Sequence, residues 1–125
     1  MKTIMFTHHP KMNDAQLAAK QVELEAALLD FGWEDKAELV ARACYNPSKL
    51  AQTWQQWTNT AVQDLDALVL TTLRIGLAQA RLANLMKTKG KPVYFYNGLE
   101  IQPVKFIKEV DSTDWKTGFM VIYGR

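Results

Sequence analysis

The only two histidines of the chain, His8 and His9, stand side by side and are followed by Pro10. Imidazoles at the end of a short apolar run suit ring hydrogen bonds to a ligand, or proton transfer near neutral pH. They make a poor metal set, because the only thiol is Cys44 and a zinc site takes three or four protein ligands. No metal and no cofactor is expected. Three more stretches combine polar side chains with turn residues: Tyr45-Asn46-Pro47, Thr71-Thr72-Leu73-Arg74 and Asn97-Gly98. Arg74, placed at a strand-to-helix turn, would meet an anionic ligand. Trp54 and Trp57 are three residues apart, and so share a helical face. That face reads as core packing, a stacking surface for a base, or a subunit interface. Gln55, Gln56, Thr58 and Asn59 interleave with them and would be exposed.

Several chemistries are excluded by missing patterns. No Gly-x-Gly-x-x-Gly follows the first apolar run, and no Gly-Lys-Ser/Thr phosphate loop exists. No serine-centred nucleophile elbow or paired-carboxylate motif is present. Asp64 and Asp66 precede the apolar run they introduce, which puts them at the wrong end of a strand for catalysis. No residue is assigned a catalytic role.

These loops need elements to bring them together. Leu65 to Leu70 and Val93 to Tyr96 are short runs rich enough in branched and aromatic residues for buried strands. A helix predicted from Arg74 to Lys87 joins them. Ile75, Ala78, Leu82, Leu85 and Met86 form its apolar stripe, and Gly76, Ala80 and Ala83 a second stripe of small residues. Two buried strands linked by one helix must run parallel, with a right-handed crossover. Upstream, Thr3 to Thr7 suits a first strand. Asn13 or Asp14 then caps a helix that reaches about Leu29 and stops at Gly32. Ala15, Ala18, Val22, Ala26 and Leu29 give its expected buried stripe, widened by Leu17, Leu24 and Leu28. Residues 35 to 45 carry helix-favouring side chains, but a strand from about Glu38 to Cys44 completes the alternation of strands and helices. A helix from about Ser48 to Val62 follows. After Asn97-Gly98 the alternation of residues 104 to 110, a turn at Asp111 to Asp114 and the run Phe119 to Tyr123 predict an antiparallel hairpin on one sheet edge, with Pro103 at an edge or strand start.

The expected fold is therefore α/β: a three-layer, Rossmann-like parallel sheet of about four strands with a C-terminal antiparallel hairpin. The 125 residues fit one domain spanning 1–125. In an open sheet of this kind, ligands bind outside the carboxyl ends of the strands. The four polar stretches would gather there. A net charge of +2 is too small to argue for duplex nucleic acid. No apolar run is long enough to span a membrane, and one cysteine fits a reducing, cytoplasmic setting.

The segments Gln63 to Leu70, Leu77 to Ala80 and Lys89 to Tyr94 together resemble the nucleoside 2-deoxyribosyltransferase-like superfamily. The likeness covers about 35 residues and rests on an aspartate-led strand, a helix, and Gly90-Lys91-Pro92-Val93 entering the next strand. It implies a doubly wound parallel sheet with a nucleoside pocket at the strand ends. The family's nucleophile is a glutamate in the helix after the Asp-led strand. Here no glutamate lies between Glu38 and Glu100, and that helix offers Gln79 and Arg81 instead. Attack on an anomeric carbon needs a carboxylate. The expectation is thus a binding module for a nucleoside or nucleotide, one that sequesters or senses it. The alternatives are an N-glycosidase or deoxyribosyltransferase-like enzyme, and a non-catalytic interaction factor, phage-encoded and homo-oligomeric, that uses Trp54, Trp57 and the hairpin edge.

Overall fold

The computed structural model describes residues 2–8, 11–33, 37–41, 54–110 and 118–124. Its elements are β1 (Lys2–Phe6), α1 (Asp14–Phe31), β2 (Ala37–Ala41), α2 (Trp54–Asp64), β3 (Ala67–Leu70), β4 (Arg74–Ile75), α3 (Leu77–Thr88), β5 (Val93–Tyr96), β6 (Ile101–Glu109) and β7 (Phe119–Tyr123). The strands form one sheet in the order β2-β1-β3-β5-β6-β7-β4. The first four run parallel, and β6, β7 and β4 continue antiparallel. The fold is α/β, with a parallel core and a C-terminal antiparallel hairpin. Residues 37–41 are a strand despite their helix-favouring composition, because five of their positions pair with β1. Tertiary pairing overrides local propensity here. Asn46, His9, the turn at 111–114 and the start of the predicted helix at 48–53 lie outside the described residues.

Strand residues alternate between two cores, as the pleat requires. Ile4, Phe6, Ala67, Val69 and Tyr96 face Leu24, Ala27 and Leu28 of α1. Met5, Leu68, Leu70, Val93 and Phe95 face Val62 of α2 and Ala80, Leu82, Ala83 and Met86 of α3. Helices thus cover both faces in three layers, and the chain changes face between β1 and β3.

α1 begins with a capping box. The Asn13 side-chain oxygen accepts from Gln16 N at 2.8 Å, and the Gln16 side chain accepts from Asn13 N at 2.9 Å. It ends at Gly32, whose φ of 108° is the left-handed conformation a C-terminal cap uses. The buried face differs from the expected one. Ala15, Ala18, Val22, Ala26 and Leu29 are all exposed, Val22 at 67% and Leu29 at 70%. Two stripes of α1 share the three-and-four spacing. The one carrying Leu24 and Leu28 wins because each leucine removes more apolar area from water than an alanine does.

The crossover helix also starts later than predicted. Arg74 and Ile75 are not helical but form β4, paired with Met120 and Phe119 of β7. Gly76 is the extended N-cap of α3 rather than part of a small-residue stripe. Ile75 is buried in this pairing at 2% exposure, so its apolar character serves the sheet and not the helix. Likewise Pro103 sits inside β6, between β5 and β7, rather than at a strand start. β6 begins early because the Asn97 side-chain oxygen accepts from Leu99 N and Glu100 N and closes a short turn. Thr58, expected at the surface, is fully buried, and its hydroxyl accepts from Arg81 Nε at 3.1 Å, tying α2 to α3.

The link between β3 and β4 decides the shape of the sheet. β3 and β4 are four strands apart in sheet order but only three residues apart in sequence. Four strand spacings in a flat sheet measure about 19 Å. The connection from Leu70 to Arg74 reaches at most about 14 Å. The sheet therefore has to curl, bringing β7 and β4 back over the end of β3. A register shift between Val104 and Phe106 marks an irregularity in β6 where such bending is accommodated. Val121 N donates to Leu73 O at 2.8 Å, and the rings of Phe95 and Tyr123 stack at 4.3 Å, holding the curl closed.

Candidate functional site

The curl leaves a cavity of about 530 Å³ at the carboxyl ends of β3 and β5. That volume lies within the ~300–1,000 Å³ of ordinary small-molecule sites. Its wall takes Thr71, Thr72 and Leu73 from the β3–β4 connection, and Phe95, Tyr96, Asn97 and Gly98 from β5 and its turn. Tyr123 of β7 and Lys20 of α1 complete it. The cavity opens at the carboxyl ends of the parallel strands, the edge at which an open α/β sheet binds ligands, one strand along from the change of face between β1 and β3.

Thr71 is fixed from below. Its hydroxyl donates to Thr7 O at 2.6 Å, and its backbone N donates to the Thr7 hydroxyl at 3.1 Å. The Thr72 hydroxyl donates to Arg74 O at 3.0 Å. The Tyr96 hydroxyl donates to Gly98 O at 3.0 Å. Burial, and then the nearby Glu23 carboxylate, push the Tyr96 phenol above the ordinary tyrosine range, so it stays neutral at physiological pH. Lys20 Nζ lies 3.1 Å from the Glu23 carboxylate and 5.7 Å from the centroid of the Tyr96 ring. The hydrogen bond from Lys20 lowers the Glu23 carboxyl below its usual range.

Of the residues singled out in the sequence, Thr71, Thr72 and Asn97 come together at this cavity. His8 sits at the end of β1, its ring tilted against Phe6 with centroids 6.3 Å apart, outside the cavity lining. Arg74 is exposed on β4 and is not in the lining either. Trp57 is partly buried against the core beneath α2 and α3, and Trp54 opens α2. Gln79 is buried on α3. Asp66 accepts from Thr3 N at 2.8 Å, at the opposite end of the strands.

Sequence reasoning missed Lys20, Tyr96 and Tyr123. Lys20 and Glu23 are an ordinary i,i+3 pair on a helix, and the tyrosines lie within strands rather than loops, so neither carries a motif signal.

Among the described residues no group of three His, Cys, Asp or Glu side chains could hold a metal ion. No described helix is long and apolar enough to cross a membrane. No family model and no curated protein matches the chain.

Proposed function

We propose that this chain binds a nucleoside or nucleotide at the carboxyl ends of its parallel strands, as a module that sequesters or senses it without catalysis. The observation that carries the reading is the cavity at the carboxyl ends of β3 and β5, walled by the Phe95–Tyr123 stack and rimmed by Thr72, Asn97 and Lys20. An aromatic wall suits a flat base, and rim polar groups suit a sugar. The resemblance to the nucleoside 2-deoxyribosyltransferase-like superfamily points to the same ligand class. Binding is favoured over glycosyl transfer because Asp66 holds the far end of β3, and the Glu23 carboxylate beside the cavity is paired with Lys20 and is not in its lining.

A thermal-shift screen of nucleosides, nucleotides and cyclic nucleotides tests it. A ligand that binds only the folded state raises the melting temperature in proportion to the logarithm of its saturation. At least one compound should raise it by several degrees, and Thr72→Trp, which fills the rim from an exposed position without adding charge, should remove the shift. No response to any compound, or a full response in the Thr72→Trp variant, would overturn the proposal.

A second reading, a non-catalytic interaction factor that pairs with a second copy of itself, draws on α1. Its exposed apolar residues are spaced symmetrically about Val22, with Ala18 and Ala26 four residues to either side and Ala15 and Leu29 seven. Two such helices crossing antiparallel would match residue for residue, as a two-fold interface requires.

A further inference from the structure

We propose that the ligand of the cavity is anionic, a nucleoside monophosphate whose phosphate is held by Lys20. This rests on the nucleotide-binding reading above. Lys20 is the one charged side chain among the described residues of the lining. Its ammonium is not free to wander, since it is drawn toward the Glu23 carboxylate on one side and the Tyr96 ring on the other. Three of the four hydroxyls in the lining have already committed their protons. Thr71 donates to Thr7 O, Thr72 to Arg74 O and Tyr96 to Gly98 O. These three present lone pairs to the cavity and no donor. The Asn97 carbonyl oxygen is likewise taken by two backbone N–H groups, which leaves its amide nitrogen as the donating end.

A ligand therefore meets three side-chain donors, the Lys20 ammonium, the Asn97 amide and the Tyr123 hydroxyl, and one positive charge. Sugar hydroxyls alone would use the lone pairs of the threonines but leave the cation without an anion inside the cavity. A phosphate would use it through charge-assisted hydrogen bonds. Glu23 is no obstacle, because a half-exposed carboxylate gives up its partner to a dianion at little cost.

The test compares the nucleosides of the common bases with their 5′-monophosphates by calorimetric titration, on the unmodified chain, Lys20→Met and Glu23→Gln. Met keeps the apolar stem of Lys20, and an exposed ion pair contributes little, so the unliganded melting temperature should move by no more than a degree or two. At least one monophosphate should bind more tightly than its parent nucleoside, and Lys20→Met should weaken the monophosphate about tenfold or more and the nucleoside by a much smaller factor. Glu23→Gln should strengthen monophosphate binding at low ionic strength. A nucleoside that binds as tightly as its monophosphate, or a Lys20→Met variant that holds the monophosphate undiminished, would overturn the phosphate anchor and leave nucleoside binding standing. Failure of both compound classes would overturn the two proposals together.

Discussion

Individual side chains at the cavity are held by bonds that consume their protons, and burial gives two tyrosines a pH signature. Tyr96 and Tyr94 are both pushed above the ordinary phenol range, Tyr94 by burial and Tyr96 by burial together with Glu23. A group whose folded value is raised contributes stability that is whole below its unfolded value, about 10 for tyrosine. That contribution is lost as pH climbs through the folded value. An ultraviolet phenolate titration of the folded chain should therefore show at least two late-titrating tyrosines, and Tyr96→Phe should remove one of them and soften the loss of stability at high pH. If every phenol titrates together, as in urea, the burial argument fails. At this scale the sequence spoke unevenly. Thr71, Thr72 and Asn97 stood out because threonine and asparagine in turns have few other reasons to cluster. Lys20 did not, because a lysine on a helix is ordinary until another element closes over it.

Elements show where periodicity is ambiguous. α1 carries two apolar stripes with the same spacing, and only packing distinguishes them. Leu24 is fully buried and Val22 is two-thirds exposed. Leu24→Ala should cost about 2–5 kcal/mol, whereas Val22→Ala should stay within about 0.5 kcal/mol, as surface substitutions do. Urea denaturation of both variants decides it, and similar losses would mean that α1 faces the other way. β2 and β4 make the complementary point. Residues 37–41 favour a helix locally and pair as a strand, and Arg74–Ile75 continue a helical pattern yet leave it to join β7. In both places hydrogen bonds to a neighbouring strand outweigh a local preference worth tenths of a kcal/mol per residue.

For the molecule as a whole, the exposed stripe of α1 bears on association. If it is a face for a second copy, the sedimentation coefficient should rise with concentration, and Val22→Glu should hold it at the monomer value. A coefficient independent of concentration would remove that reading and leave the stripe as unpartnered surface.

Strands β1, β3 and β5, helices α1 and α3 and the polar loops after β3 and β5 were determined by the sequence, because each is written in local patterns: short branched runs, caps, and turn residues at fixed spacing. The strands at 37–41 and 74–75 were decided by pairing against a local helical preference. The curl of the sheet was not written locally either. It follows from a three-residue link joining strands that lie four places apart, a constraint that exists only once strand order is known. That curl brings Tyr123 and Leu73 against Phe95 and turns an open crevice into a walled cavity. Tertiary structure alone also decided which α1 stripe faced inward, and with it that Lys20 would stand at the rim.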